Sequence, residues 1–175
     1  GASRPEVSDE PIERGLDADE GAVAPPRDQV QMRVALHKTG DRMQRSARPE
    51  IDYRVELPQP VPQLTCDPGM ITQALTNILK NAGEAIDARS AATPGQIRVS
   101  ASAGDGVVRI MVEDNGEGLP ADRQRLTEPY VTTRSKGTGI GLAIVKKIME
   151  DHAGELIMEN REGGGARVIL AFPSD

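Results

Sequence analysis

The chain has 175 residues, and Lys+Arg 21 against Asp+Glu 27 leave a formal net charge of −6. That length suits one domain of ordinary size with room for a tail. The acid surplus argues against a nucleic-acid-coating protein, aromatics at 2 % give no base-stacking platform, and a lone cysteine, Cys66, excludes an internal disulfide.

Residues 1–26 carry the acids Glu6, Asp9, Glu10, Glu13, Asp17, Asp19 and Glu20 against Arg4 and Arg14, with Pro5, Pro11, Pro25 and Pro26 among them. So polar a stretch cannot bury enough surface to offset its ordering entropy, and it reads as a disordered or loosely attached segment. It lacks the apolar stretch of a signal peptide, and no apolar run in the chain approaches the length of a membrane span. Residues 27–50 read as a helical linker, with a thin apolar set of Val30, Val34 and Met43, a break near Gly40, and Leu36 off the apolar face.

A domain is expected over 51–173. Ile51 to Leu57 alternates with period two, as a strand does. Asp67-Pro68 is a strong helix start, with Asp as N-cap and Pro at the first helical position; the helix should run to about Ala88. Residues 96–103 and 107–113 read as a hairpin about Gly104-Asp105-Gly106. A loop-like stretch to 138 follows, with a mobile lid at about 119–138, then a helix over roughly 139–151 with apolar face Leu142, Val145, Ile148 and Met149. A closing hairpin, 155–160 and 166–172, turns at Gly163-Gly164-Gly165. This order predicts a two-layer α/β sandwich: a mixed, mostly antiparallel sheet with helices on one face.

Three features carry chemistry. In the first long helix, Ile71, Leu75, Ile78, Leu79, Ala82 and Ile86 share the core arc, and Asn77, Asn81 and Glu84 fall on the opposite side. Asn is a weak helix former, so a repeated Asn asks for a reason; amide oxygens suit Mg²⁺, which shares its ligands with phosphates and water. A solvated polar face explains the stripe equally well. Next, the strand Val107–Glu113 ends in Asp114-Asn115-Gly116-Glu117-Gly118, which puts a carboxylate at the sheet's edge, where it could accept the exocyclic amine of adenine. Strand-end turns also use Asp and Gly for geometry alone. Last, Lys136-Gly137-Thr138-Gly139-Ile140-Gly141-Leu142 opens a helix, as an anion site does, although a surface loop would read similarly. The spelling excludes a P-loop and a dinucleotide fingerprint. The fixed order of the three features makes the combination informative where each alone is not.

In these motifs the chain resembles the ATP-binding catalytic domain of sensor histidine kinases, within the wider superfamily (GHKL) of topoisomerase, MutL and heat-shock chaperone ATPases. Asn77 to Ile86 is similar to the N box and Asp114–Gly118 to the G1 box; Thr127-Glu128-Pro129-Tyr130 is similar to the F box and Gly137–Gly141 to the G2 box. The spelling of 126–134 and 148–152 is most similar to nitrogen-regulation kinases of the NtrY type.

The resemblance implies a transferase of two-component signal transduction that binds ATP and Mg²⁺ and phosphorylates a histidine. It implies that Asn81 coordinates Mg²⁺ with Asn77 near the triphosphate, both in catalytic roles. Asp114 would bind the adenine amine, Gly116 and Gly118 would shape its pocket, and Gly137, Gly139 and Gly141 would face the phosphates, with Leu142, Thr133, Arg134 and Lys136 as further contacts. Glu84 stands where many relatives carry Lys, and Thr127 and Tyr130 stand where the usual F box has phenylalanines.

The acceptor histidine of such kinases sits in a His-Glu-x-x-Asn/Thr context, which neither His37 nor His152 has. The implied partners are therefore ATP, a histidine-bearing dimerisation domain outside this chain and a downstream response regulator, with no nucleic acid. A cytoplasmic location follows, with any inner-membrane anchor elsewhere in the full-length protein. The alternatives are a superfamily ATPase or an anti-sigma-type protein-serine kinase; Asn77 argues against the ATPase, because an amide cannot take a proton from water.

Overall fold

A computed structural model describes residues 33, 35–41, 50–89, 92–122, 126–128 and 141–174. A helical segment, α1 (35–41), precedes β1 (Ile51–Glu56), α2 (Pro68–Ala88), β2 (Gly95–Gly104), β3 (Val107–Asp114), α3 (Gly141–Asp151), β4 (Glu155–Asn160) and β5 (Ala166–Pro173). The described residues form a sheet in the order β1-β2-β3-β5-β4. β1 runs parallel to β2, and every other neighbouring pair is antiparallel. The sheet is thus mixed and mostly antiparallel, as expected, with β3 at its centre.

Alternation along the strands sorts their residues onto two faces. Ile97 and Val99 of β2, Val108, Ile110 and Val112 of β3, and Leu170 and Phe172 of β5 are buried in one cluster with Ile71, Leu75 and Ile78 of α2 and Val145, Ile148 and Met149 of α3. The core is therefore the layer between sheet and helices. Ala35 and Leu36 of α1 join the same cluster, so Leu36 is a core residue rather than an off-face one, and Gly40 is helical rather than a break. The other expected apolar residues of that segment, Val30, Val34 and Met43, lie outside the residues whose side chains are described.

The opposite face carries a row of charges in register across all the strands. Arg54 lies opposite Arg98, Arg98 opposite Glu113, Glu113 opposite Arg167, and Arg167 opposite Glu159.

The helix ends follow the sequence closely. Asp67 caps α2 by accepting from the N–H groups of Gly69 and Met70 at 2.9 and 3.1 Å. His152, just past α3, accepts the Asp67 N–H at its Nε2 (3.1 Å) and lies 2.8 Å from Ile148 O through Nδ1. The imidazole thereby ties the start of α2 to the end of α3.

α3 closes in a Schellman arrangement. Gly154 N–H reaches Met149 O and Ala153 N–H reaches Glu150 O, with Ala153 at φ 54°. Alanine is strained in that left-handed position, where its Cβ crowds the following carbonyl. Ala153→Gly is therefore expected to stabilise the domain by about 1 kcal/mol, read as a higher urea midpoint with an unchanged slope.

Candidate nucleotide site

The Asn stripe of α2 does not face open water. Gln73, Lys80 and Asp87 are exposed on this helix's outer side, whereas Asn77, Asn81 and Glu84 are half-buried. Two neighbours cover that flank. The Asn77 Nδ2 donates to Gly141 O at the start of α3 (3.4 Å), and a Cβ on Gly141 would lie 3.9 Å from the Asn77 Cβ. Further along α2, Glu117 N–H donates to Ala85 O at 3.0 Å. A Cβ on Gly116 would sit 2.6 Å from the Ala85 carbonyl carbon, so the loop can lie this close to the helix only as glycine.

Asp114 stands at this second contact. It is the last residue of the central strand, one residue beyond the strand end at 113 read from the sequence. Only 4 % of it is exposed. Its Oδ1 accepts from Gly116 N–H at 2.8 Å and from Ala166 N–H at 3.4 Å. Asn115 fastens the same strand end to β2: its Oδ1 accepts from Gln96 N–H (2.7 Å), and its Nδ2 donates to Pro94 O (3.0 Å). Gly118 has φ +85° and faces the Asn160 side chain, whose Oδ1 accepts from Leu119 N–H at 2.8 Å. From the far end of α2, Arg89 donates to Asn115 O at 3.2 Å.

The structure thus brings Gly141 to Asn77 and Gly116 to Ala85 along α2, which also carries Asn81; Asp114 directly precedes the second contact, and Gly118 packs beyond it against Asn160. Leu142 follows Gly141 and is half-buried. Thr133, Arg134, Lys136, Gly137 and Gly139, with Tyr130 and most of the expected lid, lie outside the described residues.

Several supporting residues carry no motif. The Glu113 carboxylate, 5 % exposed, meets Arg98 Nη2 at 2.9 Å, Arg161 Nε at 3.1 Å and Arg167 Nη2 at 3.4 Å. Burial alone would raise its pKa, but the hydrogen bond from Arg98 and the charges of Arg98, Arg167 and Arg161 outweigh that and hold it below the usual carboxylate value. Arg161 Nη1 also donates to the backbone O of Asp114 at 2.9 Å. Gly165, at φ +93°, lies against that same carbonyl. A glutamate directly after the apolar run Val107–Val112, still within the strand, was the one available sign of the Glu113 cluster. Nothing in the spelling of Gly163-Gly164-Gly165 sets the third glycine apart.

Residues 66–175 match the family described as Histidine kinase-, DNA gyrase B-, and HSP90-like ATPase. The chain belongs to that family. Within it, the domain is of the histidine-kinase catalytic type. It is 47 % identical over 138 residues to the nitrogen regulation protein NtrY of Azorhizobium caulinodans, an alignment covering 76 % of this chain and 18 % of the relative. It is 46 % identical over 109 residues to a putative sensor histidine kinase, NtrY-like, of Rickettsia bellii, covering 62 % of this chain and 17 % of that one. The chain thus spans less than a fifth of these curated relatives.

Among solved structures, the nucleotide-free catalytic domain of histidine kinase ThkA superposes with a TM-score of 0.71 at 28 % identity, covering 82 % of this chain and 93 % of that one. Full-length ShkA in complex with AMPPNP gives 0.69 at 30 % identity, covering 81 % of this chain and 30 % of that one. Among the described residues no helix of this ATPase domain is long and apolar enough to cross a membrane.

Proposed function

We propose that the domain holds Mg·ATP along α2 and presents the γ-phosphate to a histidine imidazole on a separate dimerisation domain of a nitrogen-regulation type sensor kinase. A response regulator would act downstream, with the domain on the cytoplasmic side. The observation that carries this reading is the pair of contacts along α2. The Gly116–Glu117 turn after Asp114 docks at Ala85 and the start of α3 docks at Asn77, about 12 Å apart at the helical rise of 1.5 Å per residue. That separation suits a nucleoside triphosphate, with its base at Asp114 and its phosphates toward Asn77 and Gly141.

The donor set fits a magnesium ion that arrives with the nucleotide. Asn77 and Asn81 are one helical turn apart and offer neutral amide oxygens, and among the described residues no group of three or more His, Cys, Asp or Glu could hold a metal ion by itself. Asn81 is the residue that would hold it. When bound, Mg²⁺ would neutralise phosphate charge. The protein's own part is positioning: the Asp114 carboxylate accepts the adenine amine, and the backbone at the start of α3 faces the phosphates. Transfer breaks the bond between the γ-phosphorus and the bridging oxygen of ADP and forms a phosphorus–nitrogen bond to the imidazole. His152 is not a candidate acceptor, because both of its ring nitrogens are engaged within the fold.

Calorimetry with ATP and Mg²⁺ tests the site. Asp114→Asn is expected to weaken ATP binding by about tenfold to a hundredfold, the scale of leaving a buried polar partner mismatched; unchanged binding would remove Asp114 from the site. Labelled ATP mixed with this chain and a helical-hairpin acceptor domain should give acid-labile phosphohistidine. Acid-stable phosphoserine, or rapid ATP hydrolysis without any acceptor, would favour the serine-kinase or ATPase alternatives.

A further inference from the structure

Neighbouring residues of a strand point to opposite faces of the sheet. Asp114 faces the helix layer, and Glu113, directly before it, faces the charged row on the other side. Arg161 connects the two. Its Nε pairs with Glu113 Oε2 at 3.1 Å while its Nη1 donates to Asp114 O at 2.9 Å. A planar guanidinium satisfies both contacts in one orientation only.

The location matters as much as the geometry. The β3–β5 register runs to Glu113–Arg167, and just beyond it Asp114 meets the first residue of β5 through the Ala166 N–H, which donates to its Oδ1 at 3.4 Å. Arg161 adds a donor to the Asp114 carbonyl at the end of that ladder. Arg161 is fixed in turn, because its own N–H donates to Gly165 O at 2.9 Å. Glu113 is held from its other side by Arg98 at 2.9 Å.

We infer that Arg161, anchored by Glu113, is a positioning residue that fixes the Asp114 peptide and so sets how the Asp114 carboxylate meets the base. This rests on Asp114 as the adenine acceptor. Loss of Arg161 frees the strand end, and the carboxylate then spends less time where the amine needs it. The cost falls on recognition of the base, whereas the phosphate contacts, at the other end of α2, are spared.

The test compares two nucleotides by calorimetry with Mg²⁺: ATP, and purine riboside triphosphate, which lacks the exocyclic amine. Arg161→Gln should weaken ATP about tenfold and leave purine riboside triphosphate unchanged. Arg161→Lys should recover part of the loss, since it keeps the charge beside Glu113 without the fork. Glu113→Gln, which leaves Arg161 in place without its anchor, should narrow the same preference should Arg161→Gln fail to fold. Equal weakening of both nucleotides, or an unchanged ATP preference, overturns the inference. Asp114→Asn separates it from the reading beneath it. If that variant keeps the ATP preference, Asp114 is not the base acceptor; if it loses the preference while Arg161→Gln keeps it, only the role of Arg161 fails.

Discussion

Gly165→Ala is expected to cost the domain about 3–5 kcal/mol, a large share of the roughly 5–15 kcal/mol by which such domains are stable. Two effects add. Gly165 adopts φ +93°, a conformation that costs a residue with a side chain about 1–3 kcal/mol. Its Cβ would also stand 1.9 Å from Asp114 O and 2.9 Å from the Asn115 Cα, an overlap with backbone that no rotamer can relieve. Relief requires the Asp114 carbonyl to move, and that breaks its hydrogen bond from Arg161. Gly164→Ala is the internal control. Gly164 also has positive φ, +112°, but nothing lies within 4 Å of the position its Cβ would take. It should therefore lose only the backbone contribution. Urea unfolding of both variants measures the difference, and ATP binding should fall with Gly165→Ala and hold with Gly164→Ala. Equal stability losses would mean that the carbonyl yields freely and that the strand end is not rigid.

The contrast between these two glycines shows where sequence reasoning stops. Spacing revealed the turn at 163–165, because a glycine run between two apolar alternating segments has few other uses. It could not reveal that the third glycine abuts Asp114, since that contact joins residues far apart in the chain. The same division holds along α2. Periodicity identified the core residues Ile71, Leu75 and Ile78, and the Asp67-Pro68 start was legible from local hydrogen-bonding chemistry alone. The half-buried state of Asn77 and Asn81 was not, because it depends on segments far along the chain, such as Gly141, whose carbonyl accepts from Asn77. The central place of the strand that ends at Asp114 had no such signal: strand order is a long-range property, and chain order says little about which strand becomes central. Arg161 had no signature at all. A single arginine beside a turn reads as a solvated charge until the fold carries it to Glu113.

Glu113 gives the second large effect and the clearest dependence on pH. Its carboxyl titrates below the ordinary value of 4.5, since Arg98, Arg167 and Arg161 together outweigh the cost of burying it. The folded state thus binds this proton more weakly than the unfolded chain. Its contribution to stability is complete above the unfolded pKa and fades as pH falls through it toward the folded one. Glu113→Gln removes that contribution and leaves the arginines facing a neutral amide. The expected loss at neutral pH is about 2 kcal/mol, below the 3–5 kcal/mol typical of breaking a fully buried pair, because part of each guanidinium can turn to solvent. Side-chain exposures of 45 % for Arg98 and 35 % for Arg167 set that discount. Unfolding free energies measured from about pH 7 to about pH 3 should show wild type and variant converging on the acid side. Every other carboxylate titrates in both proteins, so the difference between the curves isolates position 113. A constant gap across the acid range would show that the buried glutamate acts through shape rather than charge, and it would release Arg161 from the anchor that holds it on Asp114.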